Sequence, residues 1–164
     1  MGEGNLMPWY MEYLAPIVPA YNLDRELVEA FILQESSGHA DAFRYEHDFY
    51  MKYIMHNPRY AGQDSRRVSS SYGLMQVMYT TAVEHGFAGE PEELFLPRVN
   101  LEMGCEILSR LFDWTGLDRT QRGTMRQVAA AYNGGKGNWH GDDPQRYAGQ
   151  VLNRYATLRG EKIA

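Results

Sequence analysis

Apolar residues recur at helical spacing along most of the chain, and runs that alternate between apolar and polar residues are nearly absent. The first clear stripe runs from Leu23 to Gln34, with Asn22 as its expected N-cap and an end near Gly38. A longer helix is predicted over residues 98–114, where two neighbouring apolar stripes share one face. The pattern therefore predicts an all-α fold.

Three further helices are expected in the second half of the chain. Thr81-Ala-Val-Glu84 and Thr124-Met-Arg-Gln127 have the spacing of capping boxes, and Gly86 is a natural stop after the first of them. Asp143-Pro144 should open the last helix, because proline suits the first helical position. Residues 39–72 are less regular, and we expect a long connection there with a short helix over 47–56.

Composition narrows the class of protein. A chain of 164 residues has the length of one domain, and its net charge of −5 argues against a general nucleic-acid-binding protein. The single cysteine, Cys105, excludes a disulfide framework, and on an apolar stripe we expect it to be buried and unreactive. No apolar run approaches the roughly 20 residues that span a bilayer, and the first residues show no secretory signal.

Glu35 is the first candidate for chemistry. It lies at the carboxyl end of an apolar helix, where unpaired carbonyl groups present negative potential to a carboxylate. That potential, together with partial burial against Phe31 and Ile32, should raise the pKa of Glu35 and suit it to general acid catalysis. Taken alone, a glutamate in this position is more often an ordinary polar residue at a helix end.

Two glycine-containing motifs follow. Gly73-Leu-Met-Gln-Val-Met78 suggests close approach of the backbone to a ligand, with Met75, Gln76 and Met78 supplying soft apolar and amide contacts. Ala131-Tyr-Asn-Gly-Gly135 places an aromatic ring and an amide at a helix exit. Each motif also has a structural interpretation, as a turn before buried core and as a helix C-cap respectively.

In combination and in this order, these motifs resemble the lytic transglycosylases of the soluble-lytic-transglycosylase (SLT) type. The matching segments are Glu35-Ser36, Gly73–Gln76, Ala131–Gly135 and Tyr147 ahead of Val151. The resemblance implies a single-domain, goose-type lysozyme-like helical fold. We expect residues 21–160 to form this domain, with residues 1–20 as an N-terminal extension packed on it.

The resemblance also implies an activity and its residues. Glu35 would be the single catalytic acid and base that cleaves the β-1,4 bond between N-acetylmuramic acid (MurNAc) and N-acetylglucosamine (GlcNAc) and leaves a 1,6-anhydro end. The other expected substrate-binding residues come from the same motifs: Ser36, Met75, Gln76, Met78, Tyr132, Asn133 and Tyr147. We expect a monomer without cofactors that binds peptidoglycan strands in the periplasm or cell wall, of bacterial or phage origin.

The chain departs from the family pattern between Glu35 and Gly73. These residues are 38 positions apart, which is longer than usual for the family, so residues 43–70 are interpreted as an insertion that shapes one wall of the groove. The family's Ala-x-Ser is replaced by Ala42-Phe-Arg44, so its serine contact would have to come from residues 69–71.

The insertion opens an alternative mechanism. If Glu46, Asp48 or Asp64 faces Glu35 across roughly 6.5–9.5 Å, that carboxylate would activate water, as in an inverting muramidase or chitinase-like hydrolase. A non-catalytic glycan-binding module is the third function that the motifs allow. No metal site is expected, because no pair among the five histidines has helical ligand spacing with a supporting carboxylate. Among the tryptophans, Trp139 is the best placed for ligand contact.

Overall fold

A computed structural model describes residues 7–162, and most of these residues are helical. The α-helices are α1 (Met11–Ile17), α2 (Arg25–Ser36), α3 (His47–Phe49), α4 (Ser65–Val68), α5 (Tyr79–Glu84), α6 (Pro97–Thr115), α7 (Arg122–Gly134) and α8 (Asp142–Leu158). Single turns of 3₁₀-helix lie at Val18–Tyr21, Pro58–Tyr60 and Pro91–Phe95, and Tyr50–Ile54 forms a π-helical turn. The helical class predicted from spacing is confirmed.

The core is built around α6, which packs against α1 on one side and α7 on the other, while α8 packs against both α7 and α2. Leu101, Cys105 and Leu108 on the inward face of α6 are completely buried, as the apolar stripe predicts. Burial also raises the pKa of the Cys105 thiol to about 12, so this cysteine is an inert core residue.

The start of the described chain shares this core. Tyr10 and Leu14 are buried in the same apolar cluster as Leu101, and the Tyr10 hydroxyl donates to Glu29 on α2. Residues 1–6 of the expected N-terminal extension lie outside the described residues. The helical segment at 11–17 is therefore an integral layer of the fold.

A small antiparallel sheet, β1 (Phe43–Tyr45), β2 (Ser70–Tyr72) and β3 (Val77–Met78), was not expected from the sequence. Phe43 is paired with Tyr72, and Tyr72 in turn with Val77. Strands of two or three residues are too short to show an alternating pattern. The sheet joins both ends of the insertion to the turn at residues 73–76.

The helix starts differ from the sequence predictions. Asn22 adopts a left-handed conformation after the 3₁₀ turn, and Asp24 is the N-cap of α2, accepting a hydrogen bond from the Glu26 amide at 3.0 Å. Thr81 lies inside α5 and Thr124 is buried inside α7, so neither residue opens a capping box. Capping motifs recur by chance within helices, and the packing of each helix decided where it starts.

The boundaries of the remaining helices agree better with the sequence predictions. The helix predicted over 98–114 is observed at 97–115, and α8 begins one residue before the predicted Asp143, so Pro144 lies at its third position. The short helix predicted over 47–56 is present as α3 and the π-helical turn that continues it to Ile54. The long connection is therefore structured.

Candidate active site

A surface groove of about 540 Å³ brings together the separate sequence motifs. Its walls come from the end of α2, the start of the insertion, the β2–β3 hairpin, the end of α7 and the start of α8. The lining residues are Gln34, Glu35, Arg44, Glu46, Phe49, Ser71, Gln76, Met78, Tyr132, Asn133 and Tyr147. Six of the eight residues predicted to act in catalysis or binding therefore share one groove.

Glu35 lies on the last turn of α2, one turn after the buried Phe31 and Ile32. Its Oε1 accepts a hydrogen bond from the Tyr147 hydroxyl at 2.5 Å. Burial raises the pKa of the Glu35 carboxyl to about 7, although the Tyr147 hydrogen bond and the charge of Arg44 act in the opposite direction. The nearby charge of Glu46 adds to the rise.

Two tyrosines, Tyr132 and Tyr147, lie beside the Glu35 carboxyl. The Phe31 ring packs edge-on against Tyr132, with centroids 5.1 Å apart, and lies 6.3 Å from the Tyr147 ring. Burial raises the pKa of both tyrosine hydroxyls well above the usual value, so both remain protonated hydrogen-bond donors. Tyr132 donates to the Met75 carbonyl at 2.6 Å, which joins α7 to the 73–76 turn.

The 73–76 turn has an unusual backbone that depends on its residue types. Gly73 has φ +72°, and a Cβ at this position would lie 2.6 Å from the Asn100 side-chain nitrogen and 2.8 Å from the Leu94 carbonyl. Gln76 is also left-handed, with φ +48°, and its side-chain amide donates to the Ala42 and Gly73 carbonyls at 3.0 Å. Only glycine fits the first position without displacing its neighbours.

Asn100 is a functional support that the sequence reasoning missed. It is completely buried at the first turn of α6, and its Oδ1 accepts from the Met75 amide at 2.8 Å. Its Nδ2 donates to the Tyr72 and Leu94 carbonyls at 2.7 and 2.8 Å. The sequence did contain a signal for Asn100. It precedes Gly104 and Leu108 by one and two helical turns, so it is a polar residue on the face of the helix that is otherwise apolar.

Two of the predicted substrate-binding residues do not line the groove. Met75 is completely buried and packs against Gly104, so its side chain belongs to the core. The Ser36 hydroxyl is also buried and donates to the Leu74 carbonyl at 2.7 Å. The structure thus places both side chains in the interior and not on the groove surface, where direct contact with substrate was predicted.

Among the alternative second carboxylates, only Glu46 lines the groove, where it forms an ion pair with Arg44 at 3.2 Å. Asp48 is exposed outside the groove. Asp64 caps α4 and accepts hydrogen bonds from two backbone amides at 2.9 and 3.1 Å, so it has a structural role. Of the serines considered as substitutes, Ser71 alone lines the groove.

Other sequence candidates lie elsewhere. Trp139 packs on the core and its ring centroid is 3.6 Å from that of His140, and it does not line the groove. Within residues 7–162, histidine, cysteine and carboxylate side chains form no group of three that could hold a metal ion. No helix in the same range has both the length and the apolar character needed to cross a bilayer.

Comparison with solved structures identifies the class of fold. Two similar structures are the 70 kDa soluble lytic transglycosylase SLT70 from Escherichia coli and an inactive mutant of the lytic transglycosylase Slt from Pseudomonas aeruginosa. Both match with a TM-score of 0.65 and 19% identity, over 93% and 94% of this chain. The chain spans only 25% of the length of either protein. The lysozyme-like fold predicted from the motifs is thus confirmed.

The family follows from the sequence itself. The family model described as "Transglycosylase SLT domain" matches residues 16–151, which is most of the chain. The chain therefore belongs to the SLT family of lytic transglycosylases. A search of curated proteins finds no match to this sequence.

Proposed function

We propose that this chain is a lytic transglycosylase that cleaves the MurNAc-β-1,4-GlcNAc bond of peptidoglycan without water, in the periplasm or cell wall. The observation that carries the proposal is the half-buried carboxyl of Glu35, which lines a groove with family-typical residues, accepts the Tyr147 hydrogen bond and has a pKa raised to about 7. A carboxyl that titrates near neutral pH can both give and take a proton under working conditions.

In the first step, protonated Glu35 donates to the glycosidic oxygen as the bond breaks toward an oxocarbenium-like state. The N-acetyl oxygen of the same sugar stabilises the positive charge, so the enzyme requires no second carboxylate. The Tyr147 hydrogen bond holds Oε1 and stabilises the negative charge that remains on Glu35 after donation.

In the second step, ionised Glu35 removes the proton from the 6-hydroxyl of the MurNAc residue. The oxygen attacks the anomeric carbon of the same sugar and forms the 1,6-anhydro ring, and Glu35 is again protonated. This attack gains from proximity because both atoms belong to one sugar residue. Gln76, Met78 and Asn133 line the groove where they would hold the sugar rings, and Ser71 would replace the missing family serine.

Glu46 supports one alternative, a muramidase- or chitinase-like hydrolase. Its carboxylate lines the same groove, and its charge acts on Glu35. If water lay between the two carboxylates, Glu46 would serve as the base. The Glu46 carboxylate is already engaged in an ion pair with Arg44 at 3.2 Å, so it is less available to orient a water molecule, which favours the transglycosylase.

Digestion of purified sacculi followed by mass spectrometry separates these functions. We expect anhydro-ended products, lighter by one water than hydrolysed ends, and a loss of at least about a thousandfold for Glu35→Gln. Glu46→Gln should retain most activity, as should Asp48→Asn, a matched control from the same insertion. Products with only reducing ends would establish a hydrolase, and binding of sacculi without turnover would indicate a glycan-binding module.

A further inference from the structure

A second cavity, of about 340 Å³, adjoins the groove on the side of the insertion. We call it the insertion cavity, and its lining residues are Phe49, Tyr53, Ile54, Asn57, Arg59, Tyr60, Thr80 and Glu84. Phe49 lines both this cavity and the groove that holds Glu35. A polymer bound in the groove therefore passes directly beside the insertion cavity.

The floor of the insertion cavity is apolar and buried. Ile54 and Tyr60 are buried with Val68 in a small apolar cluster of their own, separate from the main core. Above this floor, Tyr53 is 54% exposed, and its ring centroid lies 5.0 Å from that of Phe49. A preformed apolar floor with an exposed aromatic ring is typical of a ligand site.

Among the polar side chains of the cavity, Asn57 is used as the N-cap of the Pro58–Tyr60 turn, whereas the charges of Arg59 and Glu84 are available to a ligand. Arg59 and Glu84 are exposed, and neither belongs to an ion pair in the described part of the chain. Thr80 is 4% exposed, and its hydroxyl has no hydrogen-bond partner. A buried hydroxyl without a partner is unfavourable for folding. Arg59 and Glu84 carry opposite charges but do not pair with each other. They therefore suit a ligand that carries both a carboxylate and an amino group.

We propose that the insertion cavity binds the short peptide that peptidoglycan carries on its muramic acid residues. This inference rests on the proposed function. The peptide bears carboxylates, which would face Arg59, and the amino group of a diamino acid, which would face Glu84. Its apolar side chains would contact the rings of Phe49 and Tyr53. A strand without peptides keeps only the lactyl carboxylate of each muramic acid and carries no amino group, so it would leave Glu84 without a partner.

The test compares two substrates, soluble glycan strands with intact peptides and the same strands after an amidase has removed the peptides. We expect the ratio of kcat/KM on the two substrates to fall about tenfold in Arg59→Gln and in Glu84→Gln, because each loses a charge-assisted contact. Arg98→Gln is the matched control, an exposed arginine on α6 that pairs with Glu102. Its ratio should equal that of the wild type.

Direct binding is measured with a synthetic stem tripeptide that ends in a diamino acid. In NMR spectra of the whole chain, we expect it to shift the signals of Tyr53 and Thr80, and to bind about tenfold more weakly to Arg59→Gln. Thr80→Val should melt at or above the wild-type temperature, because a methyl replaces an unpartnered hydroxyl, yet bind the peptide about fivefold more weakly. A purely structural role for Thr80 would not combine these two results.

Two outcomes overturn the proposal, and a third tests the proposed function separately. An unchanged kcat/KM ratio together with no peptide binding would remove the cavity from recognition. Shifts at Tyr53 with peptide-free strands, and none with the tripeptide, would make it a glycan site. If the chain cleaves neither substrate but binds the tripeptide through Arg59, the proposed function fails while the assignment of the cavity stands.

Discussion

The two walls of the groove differ in how completely their polar groups are satisfied. On the wall formed by α2, α7, α8 and the 73–76 turn, the hydroxyls of Tyr132 and Tyr147 and the amide of Asn100 are buried and hydrogen-bonded. We call this the fixed wall. On the insertion wall, residues 43–60, Arg44 pairs with Glu46, and Arg59, beside the adjoining insertion cavity, is exposed and forms no ion pair with any of residues 7–162. The fixed wall holds the Glu35 carboxyl, and the insertion wall presents charged side chains to solvent.

This difference separates two tasks. A proton-transfer group must be held in one geometry, which requires that the polar side chains around it are themselves fixed by hydrogen bonds. Recognition of a flexible, charged substituent requires side chains that are free to exchange water for the ligand. Substitutions on the fixed wall should therefore change stability and the pKa of Glu35, whereas those on the insertion wall should change substrate preference.

The largest effect is expected for Asn100→Ala on the fixed wall. The change leaves the Met75 amide and the Tyr72 and Leu94 carbonyls buried without partners. The free energy of unfolding should fall by about 3–5 kcal/mol. Urea denaturation measures it, with Asn153→Ala on the exposed face of α8 as the control, which should stay within about 0.5 kcal/mol. A loss below about 1 kcal/mol for Asn100→Ala would contradict the role given to this residue.

The ionised form of Glu35 should lower the free energy of unfolding. Its pKa is raised from 4.5 to about 7, so the folded state loses stability as the pH rises from the lower to the higher value. Glu35→Gln removes this dependence and should be more stable than the wild type by about 2–3 kcal/mol at pH 8, with little difference at pH 4. Thermal unfolding at both pH values measures the effect. Equal differences at the two pH values would show that burial does not control the Glu35 carboxyl.

A smaller effect is expected for Tyr147→Phe, which removes the hydrogen bond that opposes the rise in the pKa of Glu35. The pKa should increase by about one unit, so activity persists to higher pH, while kcat falls about tenfold because Glu35 is held less well. The pH profile of kcat/KM measures both changes. Tyr155→Phe on the same helix, whose hydroxyl contacts Asp24, is the matched control and should leave the profile unchanged.

The smallest effects are expected on the insertion wall. Arg44→Gln should raise the pKa of Glu35 and Glu46→Gln should lower it, each by about a few tenths of a unit, because both charges are partly screened by solvent. The same pH profiles resolve the two directions. Shifts in the same direction, or as large as that of Tyr147→Phe, would remove the distinction between the walls.

The sequence predicted two kinds of feature: helices with a periodic apolar pattern, and residues that belong to a motif of the family. The apolar stripe of α6 and the groove positions of Glu35, Gln76 and Tyr132 follow from spacing and from the motifs. Gln76 and Met75 show the limit, because adjacent residues of a turn face opposite ways, and only the three-dimensional path decides which one meets the groove.

Contacts between segments that are distant along the chain could not be predicted from the sequence either. Asn100 acts on a turn 25 positions earlier in the chain, and a single asparagine in a helix gives no sign of its partners. Asp24 replaced Asn22 as a cap because the preceding 3₁₀ turn already used Asn22. The charges of the insertion cavity come from two segments that only the fold brings together.

The Ala42 carbonyl closes the base of the insertion. It accepts from the Gly73 amide at 2.7 Å and from the Gln76 side chain at 3.0 Å, so the chain leaves and re-enters the catalytic domain at one point. The free energy of closing a loop rises only slowly with its length. Segments of other lengths and compositions can therefore replace residues 43–70 in evolution or by grafting, so one wall of the groove can change while the surroundings of Glu35 are inherited intact.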